Sequence, residues 1–138
     1  MDKQEVVSYI KDVHFGYLAT VGRDNCPRVR PIAVHSVYND CLYFFTFGHT
    51  RKVTEMENNP HVEVVWSKLE EQSQVRISGE VALETSEEIQ QQFIADNPMV
   101  TKMLPPEAQH LFRLYRFTPV TIIAAPGLVP YEKVAWQA

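Results

Sequence analysis

Arg51 and Lys52 stand side by side directly after Thr50, in the stretch Phe44-Phe45-Thr46-Phe47-Gly48-His49-Thr50-Arg51-Lys52. Threonine is a helix N-cap type, and Asn58-Asn59-Pro60 is a stop signal, so the two cations fall in the first turn of a short helix. There they oppose the helix dipole, at about 0.3–1 kcal/mol each in an exposed helix. Glu55 and Glu57 come too late in the helix to offset them. An anion held by the free N–H groups of that turn reverses the sign, because backbone donors, dipole and both cations then converge on it. The pattern describes a phosphate site, and the competing reading is that both side chains extend into water. Elsewhere the same chain orders its charges conventionally: Ser86 is followed by Glu87 and Glu88 at a helix start.

Other chemistries lack their residues. The sequence has no GxSxG, HExxH, P-loop or glycine-rich dinucleotide fingerprint, which removes local support for serine hydrolase, zinc protease and nucleotide hydrolase readings. Its five histidines are scattered, no two at metal-ligand spacing on one element, so no metal site is expected. His35 and His49 are the titratable candidates for acid or base work, and no residue is singled out as catalytic. What remains is cations, hydroxyls and aromatics. Arg28 and Arg30 lie on the strand expected to pair with the aromatic one, which would bring a forked guanidinium to the same anion. For these two the competing reading is a solvated edge with cross-strand ion pairs. Beside a phosphate, the aromatic strand offers an apolar wall for a flat ring. That combination suits a mononucleotide cofactor, and FMN fits better than a dinucleotide because no second phosphate loop is visible.

The elements that must position these groups follow from periodicity. Asp2 with Glu5 reads as a capping box opening an amphipathic helix to Val13. Phe15 to Val21 alternates as a strand and ends at Gly22-Arg23-Asp24-Asn25. Arg28 to Tyr38 reads as one long strand, turned by Asn39-Asp40 into the strand Cys41 to Phe47. His61 to Trp66 and Gln74 to Glu84 are strands, with Gly79 marking a bulge. Ser86 to Ala95 is a helix, residues 99–106 give no clear pattern, and Leu111 to Ala125 is a last long strand with a kink at Pro119. The expectation is a mainly β fold, a six-stranded antiparallel barrel with peripheral helices, forming one domain over residues 1–138. Ile32 and Val34 share a face with Arg30 while Val29 and Ala33 lie opposite, and the aromatic strand is likewise apolar on both sides. Strands of this kind need cover on both faces, from helices, a ligand or a second subunit, and a homodimer is the expected source.

Totals restrict the class. With 138 residues, 45% hydrophobic and 22% charged, the chain suits a globular domain with a small core. A net charge of −4 and a pI near 5.7 argue against a nucleic-acid surface. The charged N-terminus lacks the pattern of a signal peptide, and no stretch is long and apolar enough to span a bilayer. Cys26 and Cys41 form no CxxC, so reduced thiols and a cytoplasmic location are expected.

The stretch Phe44 to Trp66, FFTFGHTRKVTEMENNPHVEVVW, resembles the signature of the pyridoxamine 5′-phosphate oxidase-like family, the FMN-binding split β-barrel proteins. The shared pattern is an aromatic strand, a threonine, Ser/Thr-Arg-Lys entering a helix, then Asn-Pro before the next strand. SQVRISGEV, Ser73 to Val81, resembles a second family strand, and the likeness covers roughly Phe15 to Ala125. It implies Thr50, Arg51, Lys52 and Arg30 on the FMN phosphate, Phe45 and Thr46 against the flavin, and Gln74 on the polar edge of its ring. It also implies a homodimer with the cofactor in the interface and a flavin-dependent oxidoreductase acting on a small-molecule redox substrate. The alternative is a non-catalytic flavin-binding protein for storage, redox sensing or stress. Two departures narrow the activity. His35 stands where the family has a lysine five residues after the arginine. The chain ends YEKVAWQA, without the arginine and histidine that grip pyridoxal phosphate, so oxidation of pyridoxamine phosphate is not expected.

Overall fold

The computed structural model describes residues 1–34 and 36–137. Helix α1 (Lys3–Val13) opens as its sequence dictates: the Asp2 carboxylate accepts from the Glu5 N–H at 2.9 Å and the Glu5 carboxylate from the Asp2 N–H at 3.0 Å. Strands β1 (Phe15–Val21), β2 (Pro27–Ala33), β3 (Ser36–Tyr38) and β4 (Cys41–Phe47) follow, then α2 (Arg51–Asn58), β5 (His61–Lys68), β6 (Ser73–Leu83), α3 (Glu87–Asp96) and α4 (Met99–Met103). A 3-10 helix (Pro106–Leu111), the long β7 (Phe112–Ala125) and the two-residue β8 (Glu132–Lys133) complete the chain. All pairings are antiparallel, in the order β2-β1-β5-β6-β7-β4-β3, with β8 on β7.

The sheet has eight strands where six were expected, for two reasons. The tail adds β8, and the stretch read as one strand from Arg28 to Tyr38 is two. β2 pairs only with β1, while β3 pairs with β4, so consecutive strands lie at opposite ends of the sheet order. Only residues 34 and 35 separate Ala33 from Ser36. At about 3.3–3.6 Å per extended residue, a link this short reaches both edges only if the sheet curls until they nearly meet. That is the physical content of a split barrel. The pairing expected between the strand of Arg28 and Arg30 and the aromatic strand is therefore not made.

Inside the curl lie Leu18, Ile32, Val34, Leu42, Phe44, Val64, Trp66, Val75, Ile77 and Phe117, all buried. On the other side of β4, Tyr43 joins Phe93, Val100, Leu104 and Leu114 in a second cluster covered by α3 and α4. Helices thus cover the outer face of the aromatic strand. Among the described residues the outer face of β1 and β2 has no such cover, and Phe15, Tyr17 and Val29 are exposed there. A buried carboxylate in the link from β6 to α3 braces the strands beside it: Glu84 accepts from the Tyr43 hydroxyl on β4 and from Arg116 on β7, each at 3.2 Å. Burial, reinforced by that carboxylate, pushes the Tyr43 hydroxyl up to about 12.

The bulge expected at Gly79 is present, as a register shift between Ser78 and Gly79 where Thr121 and Pro119 are the successive partners on β7. A Cβ at Gly79 would lie 2.1 Å from the Thr118 carbonyl oxygen, so only glycine lets the strands approach. Gly79→Ala is expected to destabilise by about 2 kcal/mol, read as a lower urea midpoint with an unchanged slope.

Candidate functional site

The turn after β4 builds the site. Thr50 takes the extended N-cap conformation, yet its side chain does not cap α2. The hydroxyl instead donates back to the Phe47 carbonyl at 2.8 Å, and the Thr46 and Thr50 hydroxyls lie 3.5 Å apart. The first turn of α2 carries no acidic residue and no side-chain cap; the Val53 N–H donates to the Thr50 carbonyl at 3.2 Å, which leaves the N–H groups before it as the donors for an anion.

The three cations there are not equivalent. Arg30 points inward from β2 and is held by Glu55, with Nη2 2.6 Å from Oε1, while its Nη1 donates to the Thr20 hydroxyl at 2.6 Å. Arg51 is 71% exposed, and its Nε lies 3.3 Å from Glu55 Oε2. Lys52 is half-buried and, among the described residues, has no hydrogen-bond or ion-pair partner. Its burial, together with the Arg30 charge, pushes the ammonium below its ordinary 10.5. Arg28 is outside this group, paired with Asp24 at 2.8 Å.

Glu55 is the residue that sequence reasoning missed. It was read as an acid too late in the helix to matter, yet it is only 2% exposed. Burial alone would raise its pKa. Hydrogen bonds from Thr20 and Arg30, with the charges of Arg30 and Arg51, outweigh that and hold it below the usual carboxylate range. Its Oε2 accepts no hydrogen bond among the described residues. The corner thus sets Arg30, Arg51 and Lys52 against one carboxylate, leaving a double positive excess. A phosphate monoester at neutral pH carries close to the opposite charge.

Lys52 also lines a cavity of about 220 Å³, with Phe45, Thr46, Phe47 and Pro31. So Phe45, Thr46 and Lys52, of the residues expected at a cofactor, line one space, whereas Thr50 and Arg51 do not line it, and Arg51 lines a separate cavity of about 180 Å³ with Arg23, Asp24, Thr54 and Glu55. Arg30 joins them electrostatically, through Glu55 and Lys52, and not by the strand pairing that was expected. Gln74 is not brought there within one chain. It pairs with Ala125 at the end of β7, whereas Phe45 pairs with Leu114 near its start, on the order of 30 Å away along the strand. His49 is exposed, with its ring 6.1 Å from that of Phe47. His35 lies outside the described residues. Arg113 is a further cation the sequence did not suggest. It stands opposite Thr46, and its guanidinium lies over Gly48, where a Cβ would come within 2.8 Å of Cζ.

No group of three or more potential metal ligands occurs among the described residues. No helix among them is long and apolar enough to cross a membrane. The unpaired half-buried ammonium, the uncapped helix start and the double positive excess fit the phosphate end of FMN.

The family model described as Pyridoxamine 5'-phosphate oxidase matches residues 2–124. The chain is similar to a protein named pyridoxine/pyridoxamine 5'-phosphate oxidase from Leptospira interrogans, at 30% identity over 112 residues, 79% of this chain and 52% of that protein. It spans about half the length of the curated relatives it matches. Among solved structures it is similar to a NimC/NimA family protein from Clostridium acetobutylicum, with a TM-score of 0.82 and 23% identity, covering 95% of this chain and 90% of that one. It is also similar to a pyridoxamine 5'-phosphate oxidase-related, FMN binding protein from Nostoc punctiforme, with a TM-score of 0.70 and 18% identity, over 94% and 86% of the two chains.

Proposed function

The chain belongs to the pyridoxamine 5'-phosphate oxidase family, and from that premise we propose that it is an FMN-dependent oxidoreductase acting on a small-molecule redox substrate. The observation that carries this reading is Lys52, a half-buried ammonium without a hydrogen-bond or ion-pair partner among the described residues, beside an uncapped helix start. Bound FMN supplies hydride chemistry, and the protein supplies position and charge. Lys52 and Arg51 hold the phosphate with the Thr50 hydroxyl, and Arg30 adds its field while Glu55 keeps it in place. Phe45 and Thr46 meet the flavin from β4.

Gln74 reaches the polar edge of the ring only from a second copy of the chain, which is one reason to propose a homodimer with the cofactor in the interface. The exposed Phe15, Tyr17 and Val29 supply the apolar face such a contact needs. The unpaired Cys26 and Cys41 suit a cytoplasmic setting.

Lys52→Ala is expected to weaken FMN by about 1–3 kcal/mol, roughly 5- to 150-fold in Kd. The wild-type protein should quench FMN fluorescence saturably at micromolar concentrations, and no quenching would remove the cofactor assignment. pH supplies a second signature. In the free protein Lys52 gives up its proton below 10.5, so affinity for the doubly charged ester falls as pH rises through that lowered value. The fall should be absent in Lys52→Ala when titrations at pH 7 and pH 10 are compared.

A further inference from the structure

We propose, building on the cofactor and homodimer readings above, that Arg76 of one copy faces the ring of the flavin bound at Lys52 of the other, where it holds the reduced cofactor as an anion. Arg76 lies two residues beyond Gln74 on β6, so a period of two puts both on the outer face of the sheet, about 7 Å apart. It is half-buried, makes no hydrogen bond or ion pair among the described residues, and its Nε is shut off from solvent without an acceptor. A guanidinium so placed gives up hydration and gains only the Tyr131 ring, 5.1 Å from Cζ. Lys52 shows the same imbalance at the phosphate corner.

The sheet connects this cation to the cofactor cavity. Arg76 pairs with Val65 on β5 and Ile123 on β7, and Val65 pairs with Tyr17 on β1, so Arg76 shares its face with the exposed Tyr17 and Phe15. Phe15 and Pro31, from that same face, line the cavity of Lys52, Phe45 and Thr46. The cavity thus reaches the rim of the face on which Arg76 stands. In a two-fold dimer every contact is made twice, so a dimer built on this face has each copy lend Arg76 and Gln74 to its partner's cavity. The chemistry there suits a fixed cation. A hydride added at flavin N5 brings two electrons and one proton, and the ring then carries a negative charge over N1 and the C2 carbonyl unless a second proton follows. Arginine keeps its charge and gives up no proton, so at that edge it balances the anion and makes the second proton unnecessary.

The test follows the reduction potential of bound FMN against pH, by dye equilibration during dithionite titration of the FMN-loaded dimer. Wild type should change by about 30 mV per pH unit from pH 5 to pH 7, a tenfold step in proton concentration at one proton per two electrons. Arg76→Met should change by about twice that, because the second proton now enters. Arg76→Lys should restore the wild-type slope, which a structural role for the guanidinium fork would not do. Subunit exchange tests the crossing between copies. A mixed dimer of Lys52→Ala and Arg76→Met chains, isolated with two different tags and loaded with one FMN, should give the wild-type slope, since intact Lys52 and intact Arg76 then meet in one site. The doubled slope in that mixed dimer would put both residues of a site in one chain and overturn the proposal. So would a doubled slope in the wild type, which needs no variant, or an unchanged slope in an Arg76→Met dimer that binds FMN. Absence of FMN quenching, or a wild-type monomer in sedimentation, sinks the reading beneath and this inference with it, and each is seen in its own measurement.

Discussion

Glu55→Ala is expected to lose about 3 kcal/mol of folding stability at pH 7, the low end of what breaking a buried ion pair costs. The low end applies because the Arg30 side chain keeps 21% of its surface in solvent and Arg51 is mostly outside. What the variant leaves behind is a guanidinium turned inward from β2 and a buried Thr20 hydroxyl, both without their acceptor. Glu55→Gln keeps the shape and an acceptor oxygen for Thr20, so its loss should be about half as large. Urea denaturation checks both. Acid supplies the sign. Glu55 is held below the usual carboxylate range, so its contribution is complete above the unfolded-state value and disappears as pH falls through the lower folded-state one. The gap between wild type and Glu55→Ala should therefore close in strong acid. A gap unchanged from pH 7 to pH 2 would mean that lost packing, not charge, explains the variant.

Phe44→Ala should be more damaging still, at about 3–5 kcal/mol. Phe44 is fully buried in the middle of β4 and stacks on Tyr115 of β7, with centroids 5.6 Å apart. Its removal opens a void inside the curl, and the neighbouring backbone is fixed by the β4–β7 ladder and cannot close over it. Phe45, three bonds of backbone away on the opposite face, gives the contrast. It is half-buried at the cavity, so Phe45→Ala should affect flavin affinity more than the unfolding midpoint. Equal stability losses from the two variants would contradict the assignment of their faces.

These two positions also show what the sequence could tell. The alternation of Leu42 and Phe44 against Tyr43, Phe45 and Phe47 placed each side chain on its observed face, because a period of two leaves no other choice. Thr50-Arg51-Lys52 was legible as a helix start for a similar reason: cap, cations and the Asn-Pro stop are all local. Glu55 was not, since a charged residue in a short polar helix reads as solvated, and only Thr20 and Arg30, distant in sequence, make its burial tolerable. The break between β2 and β3 left no mark either. Ile32, Ala33 and Val34 run on without a glycine or an Asn-Asp pair, and the change of edge is a property of the closed sheet. Helix α4 lies between prolines and is too short for periodicity to register. Gln74 was placed by resemblance alone, and the single chain carries it to the far end of β7.

The two-residue link between β2 and β3 has a bearing on ligand response. Among the described residues β2 and β3 share no ladder, whereas each pair of neighbours in the sheet order does, so this is the seam of the barrel. Arg30 stands on one lip, while Thr46 and Lys52 belong to the strand and helix behind the other. An anion drawn to both lips acts as a clasp, and the stiffening it brings should be concentrated in amide exchange at β2 and β3, with the β5–β6 wall left as it was.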